Sequence, residues 1–204
     1  MTRVKICGMR TPQDAHDAVQ AGADALGVIL APSPRRVSLA EVAVIRQSFP
    51  ALVPLVGVFV DPGAQDVRAA IEAGVDVLQF SGAESPQFCA SFGRAFVKVL
   101  HVGERAPDPG DVRRYGAGTI MYDASSARGG GMGRTFAWAS IEPLRGLGPF
   151  CLAGGLCVEN VGEAIRLLRP FAVDVSSGVE RDGRKDRELM RAFVRAVRES
   201  DAAA

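Results

Sequence analysis

The feature of this sequence that most restricts its fold is a regular alternation of short apolar runs with amphipathic segments. The apolar runs are rich in Val, Ile and Leu and alternate only partly, which is typical of parallel β-strands covered on their outer side. Each run is therefore expected to be a strand. The predicted strands are Val4–Ile6, Ala25–Leu30, Val53–Val60, Val75–Phe80, Ala95–Leu100, Thr119–Tyr122, Phe150–Ala153 and Ala172–Val175.

Helical patterns lie between these strands, and two of them end in a repeated phrase. Ala-Gly-Ala-Asp at residues 21–24 and Ala-Gly-Val-Asp at residues 73–76 both place a Gly at a helix end, just before the next strand. One βα unit is thus used repeatedly. The predicted helices are Pro12–Ala21, Leu39–Ser48, Ala64–Ala73, Pro86–Phe92, Val112–Tyr115, Ala137–Leu144, Glu159–Leu168 and Asp186–Arg198.

Eight strands alternating with about eight helices predict an α/β fold, a single-domain (β/α)8 TIM barrel that spans residues 1–204. A doubly wound open sheet is the main alternative. No Gly-x-Gly-x-x-Gly fingerprint follows the first strand, which counts against a dinucleotide-binding version of that sheet. The Gly and Pro residues within 101–110 predict a surface loop after the fifth strand.

Charge and composition exclude several classes of partner. The chain has 204 residues and a net charge of +1, whereas nucleic acid and membrane surfaces require a sustained basic face. No run reaches the roughly 18 apolar residues of a membrane helix, and the first residues form a strand-like segment rather than a secretory signal. Four cysteines without a Cys-x-x-Cys pair and two histidines suggest neither a metal site nor a disulfide framework. We therefore expect a cytoplasmic protein without a metal.

The first and eighth strands carry polar residues that face the interior. A strand period of two points Lys5 and Cys7 into the barrel, with Cys7 at the C-terminal end, where such barrels have their active sites. A thiol there can act as a base or nucleophile once its pKa is lowered, although a Cys on an apolar strand is more often core filling. Asp174 on the neighbouring eighth strand also faces inward. We therefore predict an ion pair between Lys5 and Asp174.

Two other strands end in polar residues at the same face. Asp123 follows the sixth strand, where its carboxyl group can be the partner acid to Cys7; the alternative is that it only binds loop backbone N–H groups. Gln79 and Ser81 share the inward face of the fourth strand and are predicted at the mouth of the barrel. Lys98 on the fifth strand is predicted to be interior or structural.

Arginines and glycines in three loops suggest sites for anions. Arg35 and Arg36 follow the second strand, and a guanidinium fork suits a planar carboxylate, although a solvated basic loop is the alternative. Gly154–Gly155 and Ser176–Gly178 follow the seventh and eighth strands, where this fold commonly binds phosphate through backbone N–H groups. We assign no role to the two histidines, because His16 is expected on the surface and His101 is ambiguous.

Together these residues resemble one family, the phosphoribosylanthranilate isomerases. The resemblance extends from residue 4 to about residue 198, and its motifs occur in order and at appropriate spacing. They are Lys5-Ile6-Cys7-Gly8, Ser33-Pro34-Arg35, Gly130-Gly131-Met132-Gly133-Arg134-Thr135-Phe136-Ala137-Trp138, Leu152-Ala153-Gly154-Gly155-Leu156 and Asp174-Val175-Ser176-Ser177-Gly178-Val179-Glu180.

The resemblance implies an Amadori rearrangement of N-(5-phosphoribosyl)anthranilate in tryptophan synthesis, carried out without metal or cofactor. It implies that Asp123 is the general acid, that Cys7 is the general base and that Arg35 holds the anthranilate carboxylate. It implies further substrate contacts from Gln79, Ser81, Gly131 and Gly133, and phosphate contacts from Gly154, Gly155, Ser176, Ser177 and Gly178. The expected partner is the small phosphoribosyl substrate, with no nucleic acid or membrane, and the protein is expected to be a monomer or homodimer.

The sequence departs from the family pattern at two positions, which keeps alternatives open. Ser81 stands where the family usually has His, and Ala137 stands where it usually has Asp. One alternative is a histidine-pathway or dual-specificity aminoaldose isomerase, but those relatives use carboxylates for both roles and an Asp would be expected at Cys7. The other alternative is a phosphosugar-binding protein without catalysis, which retention of Cys7 and Asp123 opposes.

Overall fold

Eight parallel strands close into a barrel in which each strand pairs with its neighbours in sequence and β1 pairs with β8. The computed structural model describes residues 1–102, 107–116, 118–124, 138 and 140–203. The closed order β1 to β8 confirms the predicted (β/α)8 TIM barrel and excludes the open sheet. The strands are β1 Arg3–Cys7, β2 Ala25–Ile29, β3 Leu55–Phe59, β4 Val77–Phe80, β5 Phe96–His101, β6 Thr119–Asp123, β7 Phe150–Ala153 and β8 Ala172–Val175.

The helices cover the outside of the barrel. They are α1 Pro12–Ala21, α2 Leu39–Arg46, α3 Ala64–Glu72, α4 Pro86–Ala90, α5 Pro109–Arg114, α6 Val161–Leu168 and α7 Arg187–Ala202, with 3-10 helices at Glu142–Leu147 and Ser177–Val179. The short strands β9 Glu180–Arg181 and β10 Arg184–Lys185 form an antiparallel hairpin after β8. No helix in the described ranges is long and apolar enough to cross a membrane.

Several predicted bounds differ from the structure. The predicted loop over residues 101–110 is wrong at both ends, because His101 is the last residue of β5 and Pro109 begins α5. The Asp108 side chain accepts a hydrogen bond from the Gly110 N–H and so starts α5 three residues before the predicted Val112. The predicted helix over 137–144 overlaps the 3-10 helix that begins at Glu142, while residues 137 and 139 lie outside the described part.

The repeated Ala-Gly-x-Asp motif ends a helix and begins the next strand. Gly22 and Gly74 take the positive φ values of 95° and 109° that let the chain leave a helix and turn into a strand. Asp24 then accepts from the Val4 N–H at 2.8 Å, while its own N–H donates to the Val4 carbonyl. Asp76 makes the same pair of bonds with Leu55. Each Asp therefore sets the register between two neighbouring strands at the N-terminal end of the barrel.

The apolar residues pack in two layers. Outward-facing strand residues, such as Ile6, Leu26 and Phe80, join the helices in one large buried cluster. A smaller cluster inside the barrel includes Val99 and Met121. At the N-terminal end of the barrel a cavity of about 470 Å³ is lined largely by apolar side chains. The inward-facing Cys7, Gln79 and Asp123 lie toward the opposite, C-terminal end, which is therefore the end to search for a functional site.

A buried ion pair outside the barrel holds the β4–α4 connection. Lys98 Nζ lies 2.7 Å from a Glu84 carboxylate oxygen, and both side chains are 2% exposed. Lys98 also donates to the Gly82 carbonyl, and Glu84 accepts from the N–H groups of Asp61 and Gly82. This arrangement confirms the structural interpretation of Lys98 and argues against a reactive amine at this position.

We predict that Glu84→Gln lowers the free energy of unfolding by about 3–5 kcal/mol, because it leaves the buried Lys98 ammonium without its countercharge. Urea unfolding at pH 7 measures the loss. Glu188→Gln is the matched control, since Glu188 pairs with Arg191 on the exposed face of α7 and should leave the midpoint nearly unchanged. Equal midpoints for the two variants would contradict a stabilising role of the Lys98–Glu84 pair.

Candidate active site

The inward face of β1 and β8 carries the predicted ion pair. Lys5 Nζ lies 2.8 Å from Asp174 Oδ1, and the two residues are paired in register across the strand junction. Cys7 is the next inward residue toward the C-terminal end and is 6% exposed. A Cβ on the neighbouring Gly27 would lie 2.7 Å from the Cys7 sulfur and 3.0 Å from Lys5 Nζ. Gly27 therefore leaves the space in which the thiol sits above the ion pair.

Burial and nearby charges act in opposite directions on these groups. Burial alone would lower the pKa of Lys5, but Asp174 and Cys7 outweigh burial and raise that pKa above its ordinary value. Burial raises the pKa of the Cys7 thiol, while the cations of Lys5 and Lys185 oppose the rise. Cys7 is thus a thiol near two ammonium groups that favour its ionised form.

The hairpin after β8 brings the second ammonium group to Cys7. Asp182 and Gly183 both have positive φ angles, as is typical of a tight turn between antiparallel strands. This turn places Lys185 opposite Glu180. Lys185 Nζ donates to Glu180 at 2.7 Å and to the Ser176 carbonyl at 2.9 Å. Its side chain is 1% exposed. Burial lowers the pKa of Lys185, and Glu180 opposes that decrease.

Arg35 reaches the same carboxylate from the loop after β2. Its Nε and Nη2 atoms donate to the two oxygens of Glu180 at 2.8 and 2.6 Å. Burial alone would raise the pKa of Glu180, but the hydrogen bonds from Arg35 and Lys185 hold that pKa at about 2. The Nε–Nη2 edge of Arg35 is therefore occupied, and a second anion would have to bind at the Nη1–Nη2 edge.

Asp123 lies on a different wall of the barrel from Cys7. It ends β6, and β7 and β8 separate it from β1 on one side while β2 to β5 separate it on the other. Asp123 is paired in register with His101 of β5 and with Ala153 of β7. Its inward direction follows from Met121, two residues earlier, which lies in the interior cluster. Cys7 and Asp123 therefore face the same mouth from strands three positions apart.

The loops after β7 and β8 pack tightly against each other and against β1. A Cβ on Gly178 would lie 1.9 Å from the Leu156 carbonyl oxygen, so only Gly allows this approach of the two loops. Gly154 and Gly155 both have positive φ, and the Asn160 side chain donates to the Gly155 carbonyl at 2.9 Å. Successive backbone N–H groups in such a segment can form an anion-binding concavity.

Two buried side-chain atoms at this end have no hydrogen-bond partner within the described part of the chain, Oε1 of Gln79 and Oγ of Ser176. Ser176 follows β8, and its Oγ lies 3.2 Å from the point where a Cβ added to Gly8 would be. Gln79 belongs to the inward face of β4 and is 5% exposed. Buried polar groups are normally satisfied, so these two atoms suit contact with a polar ligand.

The comparisons with known proteins agree with this geometry. The sequence profile of the N-(5'phosphoribosyl)anthranilate (PRA) isomerases matches residues 4–196. The chain is 43% identical over 203 residues to the N-(5'-phosphoribosyl)anthranilate isomerase of Acidithiobacillus ferrooxidans, covering 97% of this chain and 98% of that one. It is 40% identical to the enzyme of the same name from Desulforamulus reducens, covering 98% and 96% of the two chains. The chain belongs to the N-(5'-phosphoribosyl)anthranilate isomerase family.

Solved structures of phosphoribosylanthranilate isomerases also superpose on this chain. The Thermotoga maritima protein does so with a TM-score of 0.89 and 35% identity, covering 98% of this chain and 100% of that one. Another structure of the family is a complex with reduced 1-(o-carboxyphenylamino)-1-deoxyribulose 5-phosphate, at a TM-score of 0.83 and 33% identity, with coverage of 98% and 100%. The superposition extends over the whole barrel and includes both ends.

The barrel of this isomerase-family chain brings most of the predicted site residues to one end. Those at the C-terminal end are Cys7, Arg35, Gln79, Ser81, Asp123, Gly154, Gly155, Ser176, Ser177 and Gly178. Gly131 and Gly133 lie outside the described residues. Sequence reasoning missed Glu180 and Lys185, although Asp182-Gly183 is a strong hairpin signal, and it left His101 without a role.

We predict that alkylation of Cys7 by iodoacetamide accelerates about tenfold per pH unit from pH 7 to pH 9, because the thiolate reacts and burial keeps the pKa of Cys7 above its ordinary value. Lys185→Met should slow alkylation at every pH, since it removes a cation that favours the thiolate. Peptide mass spectrometry separates Cys7 from the half-buried Cys157. A rate that is constant over this range would show that Cys7 is already ionised at neutral pH.

Proposed function

We propose that this protein catalyses the Amadori rearrangement of N-(5-phosphoribosyl)anthranilate to 1-(2-carboxyphenylamino)-1-deoxyribulose 5-phosphate in tryptophan synthesis. The proposal rests on the inward-facing Cys7 and Asp123, which lie at one barrel mouth on strands three positions apart, β1 and β6. The reaction requires one acid and one base on two sides of the same sugar carbons. Membership of the isomerase family supports the substrate.

In the first proposed step, the Asp123 carboxyl group protonates the ribose ring oxygen. The bond between C1 and that oxygen breaks, and the nitrogen lone pair forms the C1=N bond of a Schiff base. In the second step, Cys7 gives its thiol proton to solvent, and the resulting thiolate removes the proton from C2. The electron pair of the C2–H bond forms the C1=C2 bond of an enolamine, while the π pair of the C1=N bond returns to the nitrogen. Protonation at C1 and loss of the hydroxyl proton at C2 then give the ketone. No electrons enter or leave, so the step needs no redox partner.

The charges of the site suit a substrate with two anionic groups. Arg35 is oriented by Glu180, and its outer Nη1–Nη2 edge can accept the anthranilate carboxylate bidentately. We propose that the loops at Gly154–Gly155 and Ser177–Gly178 bind the phosphate through backbone N–H groups. Holding the two anions at separate positions would fix the sugar carbons between the acid and the base.

Two further proposals concern the location of the protein and its oligomeric state. We propose a cytoplasmic location, because all four cysteines are free thiols and such thiols persist in reducing compartments. We also propose that the protein is a monomer or a homodimer, since one similar structure concerns monomers generated from the dimeric Thermotoga maritima protein. Light scattering on the purified protein distinguishes the two states.

We predict that purified protein converts freshly made phosphoribosylanthranilate and that Cys7→Ser and Asp123→Asn each lower turnover by about 100-fold or more. Circular dichroism checks that both variants remain folded. Cys151→Ser is the matched control, because Cys151 is also an inward-facing barrel cysteine but lies deeper, in the interior cluster, and should retain most of the turnover. Binding of the substrate by the wild type without conversion would leave a phosphosugar-binding protein instead of an isomerase.

A further inference from the structure

His101 is placed at the mouth although sequence reasoning gave it no role. It is the last residue of β5. Because Val99, two residues earlier, faces the barrel interior, the side chain of His101 points to the same side. It is paired in register with Asp123 on β6. The two side chains approach to 3.7 Å between Nδ1 of His101 and Oδ2 of Asp123.

The second ring nitrogen of His101 fixes which atom faces Asp123. Nε2 lies 3.1 Å from the backbone carbonyl oxygen of Ser81, and a carbonyl can only accept a hydrogen bond. Nε2 therefore carries a proton and donates it to this carbonyl, which leaves Nδ1 as the ring nitrogen that faces the carboxyl group of Asp123. One proton between Nδ1 and the Asp123 oxygen is enough to join the two side chains, whichever of them carries it.

Ser81 is also the position at which the family resemblance leads us to expect a His. Ser81 directly follows β4, and the His101 ring contacts its backbone carbonyl. The imidazole of His101 therefore reaches the backbone of residue 81 from the neighbouring strand β5.

We propose that His101 is a positioning residue that supplies from β5 an imidazole beside residue 81 and holds the carboxyl group of Asp123 in place for proton transfer. The inference rests on the proposed function, because it assigns Asp123 the role of acid. The present separation of 3.7 Å becomes a hydrogen bond if the two groups approach by about 1 Å. Such bonds are often long in ligand-free sites and shorten when substrate binds.

We predict that His101→Ala lowers kcat by about tenfold while KM changes by less than about threefold, because the imidazole acts on Asp123 rather than on the substrate. His101→Asn should restore more of kcat than His101→Gln, since the Asn amide lies near the position of Nδ1 and the Gln amide near that of Nε2. His16→Ala is the matched control, because His16 is the other histidine of the chain and is exposed on α1. It should retain full kcat.

A relocation variant tests the relation between the two strands. His101→Ser should lose activity as His101→Ala does, and adding Ser81→His should recover at least half of the lost kcat on a logarithmic scale. Unchanged kcat in His101→Ala would overturn the inference, as would recovery by His101→Gln but not by His101→Asn. Failure of Ser81→His to recover any activity in the folded double variant would also overturn it.

A spectroscopic measurement separates this inference from the proposed function. With two histidines in the chain, the imidazole NMR signals are readily assigned, and Asp123→Asn should move those of His101 while leaving those of His16 in place. Signals of His101 that do not respond would contradict contact with Asp123. If the wild type does not turn over phosphoribosylanthranilate but the His101 signals respond, the proposed function fails while the contact stands.

Discussion

The ion pair between Lys5 and Asp174 is the interaction on which the rest of the site depends. Two charges inside a barrel are costly to remove from water, and breaking such a pair leaves an uncompensated buried charge. This pair joins β1 to β8, the junction at which the barrel closes, and it lies directly beneath Cys7. Closure of the fold and the electrostatic surroundings of the proposed base are therefore set by the same two side chains.

A second group of charged side chains lies above this ion pair, nearer the barrel mouth. Glu180 binds Arg35 and Lys185 at once, so that one buried carboxylate orients two cations around the mouth. The cations favour the ionised thiol of Cys7, while burial opposes it.

The wall of Asp123 has a different character. His101 Nδ1 lies 3.7 Å from Asp123 Oδ2, and the His101 ring also contacts the backbone carbonyl of Ser81. Ala153 of β7, which is paired in register with Asp123, adds only a small apolar side chain. Cys7, by contrast, lies near the ammonium groups of Lys5 and Lys185. Different surroundings for two groups in one mouth are what acid–base catalysis requires.

Much of this arrangement follows from strand periodicity. A period of two is sufficient to place Lys5, Cys7 and Asp174 inside the barrel, and the predicted ion pair is present at 2.8 Å. The sequence assigns His101 no role, because its position between the end of the fifth strand and a loop rich in glycine and proline leaves its surroundings ambiguous. Partners such as Arg35 and Glu180, which are 145 residues apart, depend on loop geometry that no local pattern encodes.

If Cys7 and Asp123 are base and acid, the substrate must bind between them at the C-terminal end of the barrel. A crystal structure of this protein with reduced 1-(o-carboxyphenylamino)-1-deoxyribulose 5-phosphate decides this point. We expect the sugar carbons C1 and C2 between the thiol and the carboxyl group, the phosphate against Gly155 and Gly178, and the carboxylate on Arg35. An analogue bound in the apolar cavity at the N-terminal end, or with its phosphate on Arg35, would show that these residues do not act as proposed.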